Sequence, residues 1–147
     1  MKNSESKQQM IEYVTSHQQM TLATVAPDDK PLARTVDYVT DGADIYFGTS
    51  KSSRKIRDIQ NNSNVAYTID EVYKDWGQIQ GAQMQGKATI VTDETELNRI
   101  GKLFVEKFPA VADMPMSPDL AIVKITPTEG FFLDYRKEFG HMDSITF

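Results

Sequence analysis

The sequence predicts a mainly β (α+β) fold, an antiparallel barrel of six or seven short strands with two or three peripheral helices. Short segments with strand character follow one another, separated by turn residues. One long segment, residues 76–92, is interrupted only by glycine, as barrel strands are at bends and bulges. Helices do not alternate regularly with these segments, which disfavours a doubly wound parallel sheet.

The first third of the chain predicts one helix and three strands. An amphipathic helix is expected over about residues 4–17, since Met10, Ile11 and Val14 form a narrow apolar stripe. A turn rich in proline and aspartate separates the first two strands, and Asp41-Gly42 makes a tight hairpin before the third. The expected strands are 20–26, 32–40 and 44–49.

The rest of the chain predicts two further helices and four strands. A short basic helix over 55–60 takes Ser52 or Ser53 as its N-cap, and Asp93 caps a longer helix that ends at Pro109. That longer helix has one apolar face, formed by Leu97, Ile100, Phe104 and Phe108. The expected strands are 65–70, 76–92, 120–126 and 129–135, the last two separated by Pro127, with a C-terminal tail at 136–147.

Composition indicates one domain over residues 1–147 and excludes several classes of protein. A hydrophobic content of 39% and a charged content of 25% are ordinary for a soluble globular protein. No apolar run is long enough for a transmembrane helix, and none follows the polar N-terminus as a signal core would. The chain has no cysteine and a formal net charge of −5. We therefore expect a cytoplasmic protein without thiol chemistry or sequence-independent nucleic-acid binding.

The segment Thr49–Lys55 is the strongest functional signal, because four hydroxyl residues and three cations lie together without an acid. Arg57 adds a fourth cation. The segment joins a strand to a helix start, where free backbone N–H groups and the helix dipole favour an anion. The pattern predicts a phosphate site; the alternative is a solvated face of a surface helix.

Arg34 is the second signal, because it lies in the middle of an expected strand. Period-two alternation places it on the same face as Leu32, Val36 and Tyr38. An arginine on an apolar face needs a partner, since burying it unpaired is costly. It is expected to pair with a core acid, to lie on an exposed edge, or to grip an anion with its planar fork.

The sequence lacks the residue patterns that indicate a metal site or a hydrolytic active site. His17 and His141 are the only histidines, and neither has ligand spacing around it. No serine–histidine–aspartate set can be assigned. Paired carboxylates lie in a turn and at a helix start, where they cap and solubilise, so no metal and no acid–base catalyst is expected.

Four segments in order make the chain similar to a known family. They are Thr21-Leu22-Ala23-Thr24-Val25, Arg34-Thr35-Val36, Thr49 followed by Ser53-Arg54-Lys55, and Gly86-Lys87-Ala88. Together they resemble the pyridoxamine 5′-phosphate oxidase-like family of FMN-binding split barrels. Within it, the chain is most similar to the short bacterial branch often called general stress protein 26-like. The resemblance runs from Met20 to His141.

The resemblance implies FMN as cofactor and a role for each matching residue. Arg34 would contact the flavin phosphate or the ring edge, and Thr35 and Val36 would line the isoalloxazine. Thr49 and Ser50 would bind the ribityl phosphate, and Ser53, Arg54 and Lys55 would clamp its phosphate. Gln80 would reach the flavin ring from the other subunit. Family members are homodimers with a flavin at the subunit interface, so the implied partners are a second copy and a small-molecule electron donor or acceptor.

Three departures from the oxidase pattern bear on activity. Gly48 stands where the oxidase has an aromatic residue, Val39 where it has a second basic residue, and the oxidase's longer C-terminal part has no counterpart. The expected function is an FMN-dependent oxidoreductase that is not a true pyridoxamine 5′-phosphate oxidase. The alternatives are a flavin-binding stress protein without a substrate, or a scaffold that binds heme or a deazaflavin. The aromatic and basic tail is expected to cover the ring or to dock on the barrel.

Overall fold

In the computed structural model, residues 2–114 and 117–147 are described, and they form one antiparallel sheet with three α-helices. Two 3-10 segments also occur, Trp76–Gln78 and Pro109–Asp113. The helices are α1 (Lys2–Thr15), α2 (Arg54–Asn61) and α3 (Glu94–Lys107). The strands are β1 (Gln19–Val25), β2 (Pro31–Asp37), β3 (Val39–Asp41), β4 (Asp44–Ser50), β5 (Asn64–Ile69), β6 (Gln80–Ile90), β7 (Leu120–Asp134) and β8 (Met142–Thr146).

The strand order explains why the sheet is a split barrel. The hydrogen-bonded order is β2-β1-β5-β6-β7-β4-β3, and β8 pairs with the second half of β7. β2 and β3 lie at opposite ends of this order, yet only Tyr38 separates them in the chain. The sheet must therefore curl until its two ends meet at Tyr38. The predicted fold class is confirmed.

The interior of the barrel is apolar, as the alternation of the strands predicts. β1 and β5 both place every second residue inside. α1 closes one end of the barrel with Met10 and Val14, and the hydroxyl of buried Tyr38 donates a hydrogen bond to the Val14 carbonyl. The largest fully buried side chains are Tyr38, Tyr46, Phe47, Phe132, Met20, Leu22, Ile45, Ile69, Met84, Ile100, Ile125 and Ile145.

Capping chemistry places α2 and α3 close to their predicted positions. Asp93 accepts a hydrogen bond from the Glu96 backbone N–H at 2.9 Å and starts α3. Ile100 is fully buried and packs with Val39, Tyr46 and Val91 in a second apolar cluster. α1 ends two residues earlier than the predicted 17.

The two predicted strands at 120–126 and 129–135 are one strand, β7, and the predicted break at Pro127 is wrong. β7 continues through Pro127, which pairs with Gly86 where the register between β6 and β7 shifts. Proline is tolerated at such a bulge because no ladder hydrogen bond is required of it there. The shift leaves Thr128 without a register partner, and its hydroxyl donates to the Gln85 carbonyl at 3.2 Å.

Three other predicted boundaries are corrected. The expected strand 32–40 is broken at Tyr38, because β2 pairs with β1 whereas β3 pairs with β4. The expected strand 76–92 begins as a 3-10 turn, and β6 starts at Gln80. The expected tail 136–147 contains β8, which extends the sheet beside β7.

Glycine is required at one hairpin turn of the sheet and at one close contact between two strands. Gly42 has a φ of +61° in the two-residue hairpin between β3 and β4, a conformation that favours glycine. Gly130 pairs with Met84, and a Cβ atom there would lie 2.2 Å from the Gln83 carbonyl oxygen. Among the described residues, no helix is long and apolar enough to cross a membrane.

Candidate functional site

The basic turn between β4 and α2 is held in place by hydrogen bonds within the turn and by one to Asp119. The Lys51 N–H donates to the Asp119 carbonyl at 2.7 Å, and the Ser53 N–H donates to the Ser50 carbonyl at 3.0 Å. Ser53 is the N-cap of α2, and its hydroxyl accepts from the Ile56 N–H at 3.4 Å. Thr49 donates its hydroxyl hydrogen bond to Ser53 Oγ at 3.1 Å. The turn therefore presents the start of α2 in a fixed direction.

The sequence of α2 explains why its first residues remain at the surface. Ile56 and Ile59 are buried three residues apart and anchor one face of the helix in the core. Arg54 and Lys55 precede these anchors; Arg54 is exposed and Lys55 half-buried. The two cations thus lie at the N-terminal end of an anchored helix of eight residues.

Arg34 on β2 is half-buried and lies near a core acid, which was one of the partners that the sequence allowed. Its Nη1 donates to Thr24 Oγ1 at 2.7 Å, and its Nη2 lies 3.9 Å from Asp58 Oδ2. Asp58 is fully buried on α2 and also accepts from Thr24 Oγ1 at 3.0 Å. Because a guanidinium has five donors, these contacts orient Arg34 without using all of them.

Arg34, Arg54 and Lys55 form a cluster of like charges, named here the cation cluster. Burial lowers the pKa of Lys55, and the nearby Arg34 charge lowers it further. Burial also lowers the pKa of Arg34; Asp58 raises it, whereas Arg54 lowers it. Within residues 2–114 and 117–147, no carboxylate lies within 4.0 Å of the charged nitrogens of Arg54 or Lys55. A bound dianion would relieve this repulsion, so the cluster fits a phosphate group.

The other predicted residues lie beside the cation cluster but differ in their exposure and in their hydrogen bonds. Thr35 is exposed on the outer face of β2, and Val36 packs against the core on the Arg34 side. Ser50 is engaged within the turn, since its hydroxyl contacts Asp119 and lies 2.9 Å from Ser52 Oγ. Thr49 and Ser53 lie at the start of α2, and the Ser53 hydroxyl accepts both of its hydrogen bonds, so its own hydrogen can be donated to a ligand.

Comparison with known proteins places this chain in a family. The profile of the family described as Pyridoxamine 5′-phosphate oxidase matches residues 6–134. This chain belongs to that family. General stress protein 26 of Bacillus subtilis is 30% identical over 129 residues, covering 88% of this chain and 89% of that protein. The predicted family resemblance is confirmed.

Two solved structures show how the oxidase-like family fold is shared. A conserved hypothetical protein from Mycobacterium tuberculosis has a TM-score of 0.80 and 26% identity, covering 94% of this chain and 91% of its own. A heme binding protein from Mycobacterium smegmatis has a TM-score of 0.79 and 18% identity, covering 96% of this chain and 57% of its own. The second likeness concerns the fold alone.

Gln80 lies away from the cation cluster within the chain. It pairs with Asp134 at the start of β6, whereas the other half of β6 pairs with residues 64 and 65 that directly follow α2. The Gln80 carbonyl accepts a hydrogen bond from the Tyr13 hydroxyl at 3.1 Å, beside a cavity of about 270 Å³ that Asp70 and Tyr73 also line. Its expected contact with a flavin of the partner subunit in this oxidase-like family stays a prediction.

Sequence analysis missed Thr24 and Asp58, which position Arg34. Asp58 lies between Ile56 and Ile59, the two buried apolar residues of α2. A carboxylate so close to the buried face of a helix signals a buried acid, which requires a cationic partner. Arg34 was expected to need an acidic partner. The burial pattern of α2 and the position of Arg34 on β2 therefore together indicated the Arg34–Asp58 pair.

The tail of this family member has its cations paired with its own acids. Arg136 donates from Nε and Nη2 to both carboxylate oxygens of Asp134, at 2.9 and 3.0 Å. These hydrogen bonds lower the pKa of Asp134. His141 Nε2 lies 3.0 Å from Asp143 Oδ2, and Lys137 Nζ lies 3.3 Å from the same oxygen. Of the two expected positions for the tail, the structure thus has it docked on the barrel.

Proposed function

We propose that this protein binds FMN at the cation cluster and acts as an FMN-dependent oxidoreductase. The observation that carries the proposal is the convergence of Arg34, Arg54 and Lys55, of which the last two have no acid within 4.0 Å of their charged nitrogens in the described part of the chain. Charge-assisted hydrogen bonds to a phosphate dianion are about twice as strong as neutral ones. Ser53, Thr49 and the first N–H groups of α2 would complete the phosphate contacts.

In this proposal the chain binds and orients, and the cofactor supplies hydride or electron transfer. Asp58 and Thr24 hold Arg34 toward the phosphate side of β2. Val36 and the backbone at Thr35 would line the isoalloxazine, and Gln80 of a second copy would reach the ring. No protein nucleophile is required for flavin chemistry, so the residues of the site do not identify the substrate.

Vitamin phosphate oxidation is not part of the proposed function. Val39 and Gly48 replace two residues of the oxidase pattern. Arg136 and His141, the basic residues of the tail, already contact Asp134 and Asp143. A vitamin phosphate would therefore lack a free cationic contact in the tail.

Titration of the apoprotein with FMN and with riboflavin tests the phosphate assignment. We expect FMN to bind at least tenfold more tightly, because riboflavin cannot engage the cation cluster. Lys55→Ala should weaken FMN binding by about 1.5–3 kcal/mol, the scale of a hydrogen bond to a charged group. Lys102→Ala, an exposed lysine on α3, is the matched control and should leave the dissociation constant unchanged. Equal binding of the two flavins would contradict the proposal that the cation cluster binds the phosphate.

Two alternatives are separated by spectroscopy. A heme binding protein with this fold makes heme the second candidate, and the visible absorption spectrum of the loaded protein distinguishes heme, flavin and deazaflavin. Reaction of the flavin-loaded protein with NADH or NADPH without oxygen distinguishes an oxidoreductase from a flavin-binding stress protein. The absence of cysteine supports the cytoplasm as the proposed location.

We propose a homodimer in which the outer face of the sheet is the contact surface. Two rows of side chains cross β1, β5, β6, β7 and β8 there and line a shallow cavity of about 480 Å³. Small residues such as Ala23 and Ala66 lie in one row, and Phe131, which is 42% exposed, lies in the other. Apart from Glu129, the lining side chains are neutral, and small side chains beside an exposed aromatic ring suit close packing against a second copy.

Light scattering at micromolar concentration measures the oligomeric state. We expect twice the 16.6 kDa chain mass, since closed two-fold dimers are the commonest oligomers. Ala66→Glu places a charge in the proposed contact and should yield monomers, whereas Val72→Glu changes a residue that is 94% exposed and should not. A wild-type monomer that binds FMN would contradict the proposed dimer.

A further inference from the structure

A cavity of about 380 Å³ adjoins the cation cluster on the side of the β1–β2 turn. Its size falls within the range of about 300–1,000 Å³ typical of small-molecule sites. Arg54 belongs to both the cluster and the cavity wall. The lining residues are Ala26, Pro27, Asp28, Lys30, Leu32, Arg54 and Arg57.

The β1–β2 turn places Lys30 in this cavity by a fixed backbone geometry. The Ala26 N–H donates to the Lys30 carbonyl at 2.9 Å, and the Lys30 N–H donates to Asp28 Oδ1 at 3.3 Å. Asp29 takes a left-handed φ of 66° between them. Aspartate tolerates this conformation better than most residues, so the turn closes tightly and Lys30 lines the same wall as α2.

The charge of the cavity is positive. Lys30, Arg54 and Arg57 contribute three cations, and Asp28 is the one carboxylate among the lining residues. Lys30 Nζ lies 3.7 Å from Asp28 Oδ2, but both side chains are well exposed, and such surface pairs contribute little. Arg57 Nη2 lies 3.3 Å from buried Asp58 Oδ1, which positions it while leaving other guanidinium donors for a ligand.

We infer that this cavity is a second phosphoryl subsite, so that the proposed FMN site also accommodates a flavin dinucleotide. The inference rests on the proposed flavin site. The phosphate in the cation cluster would be joined to a second one beside Arg57 and Lys30, with Arg54 contacting both. Ala26, Pro27 and Leu32 form the apolar part of the wall, against which a planar nucleobase can pack.

Titration of the apoprotein with FMN and with flavin adenine dinucleotide tests this subsite. In the wild type, the dinucleotide should bind at least threefold more tightly than FMN. Lys30→Gln and Arg57→Gln should each weaken dinucleotide binding about three- to tenfold and change FMN binding less than twofold. Lys102→Gln is the control and should change neither. Because Arg57 contacts buried Asp58, urea unfolding is measured for every variant; Lys30, at 80% side-chain exposure, provides a test free of any folding defect.

The outcomes separate the two proposals. Weaker binding of the dinucleotide than of FMN overturns the subsite and leaves the FMN site standing. An equal loss of affinity for both flavins in Lys30→Gln also overturns the subsite, since that lysine would then act only through the long-range effect of its charge. If neither flavin binds, the proposed function fails and the subsite fails with it.

Discussion

Asp58→Ala is expected to lower the free energy of unfolding by about 3 kcal/mol. Asp58 is fully buried and meets Arg34, Arg57 and the Thr24 hydroxyl. Removing one partner of a buried ion pair leaves the other charge uncompensated, at a cost of about 3–5 kcal/mol. Arg34 retains 21% side-chain exposure, which places the expected loss at the lower end of that range.

Urea unfolding followed by tryptophan fluorescence measures this loss. Asp28→Asn is the matched control, because Asp28 is an exposed acid with a lysine partner and should change stability by less than about 0.5 kcal/mol. Asp58→Asn keeps the shape of the side chain and an acceptor for Thr24, so it should fall between the two. A stability of Asp58→Ala within about 1 kcal/mol of the wild type would mean that Arg34 is not held by this acid.

Gly130→Ala is expected to destabilise the protein by about 2–3 kcal/mol or more, the upper range for an overpacked core. The added Cβ would lie 2.2 Å from the Gln83 carbonyl oxygen and 2.6 Å from Met84 Sδ. The methionine side chain can move, but the carbonyl belongs to the backbone of β6. β6 and β7 would therefore have to separate at the centre of the sheet.

The same substitution at Gly101 should have the opposite sign. Gly101 lies in α3, and a methyl group added there would have open space around it, with no neighbour from the described part of the chain within 4 Å. Alanine is favoured over glycine inside a helix by about 1 kcal/mol, so Gly101→Ala should raise the melting temperature. Thermal unfolding of both variants decides the matter; equal effects would show that backbone contact at Gly130 is not what requires glycine.

Local chemistry made the helix starts and the hairpin predictable from sequence. Ser53 and Asp93 cap α2 and α3 because their side chains satisfy free backbone N–H groups within three residues. Gly42 defines the hairpin by its backbone conformation alone. Each of these features depends on neighbours in the chain, so it is visible without the fold.

Features set by distant partners were harder to predict. Pro127 indicated a strand break, but the register shift opposite Gly86 accommodates it within β7. Tyr38 fits a continuous strand, yet the change of partner from β1 to β4 breaks the ladder there. In the site, the basic turn was evident from composition, whereas the partner of Arg34 lies on a different element, α2, and was missed.

The pairing of β4 with β7 sets the order in which this protein can assemble. β4 leads directly into the basic turn, and one of its two edges is covered by residues 120–125 of β7, some seventy residues later. Closing so long a loop is slow and comes late in folding. We therefore expect the basic turn to become fixed only after β7 has left the ribosome, since the Lys51 N–H donates to the Asp119 carbonyl beside the start of that strand. Under the proposed function, a flavin would then slow unfolding without accelerating the folding step itself.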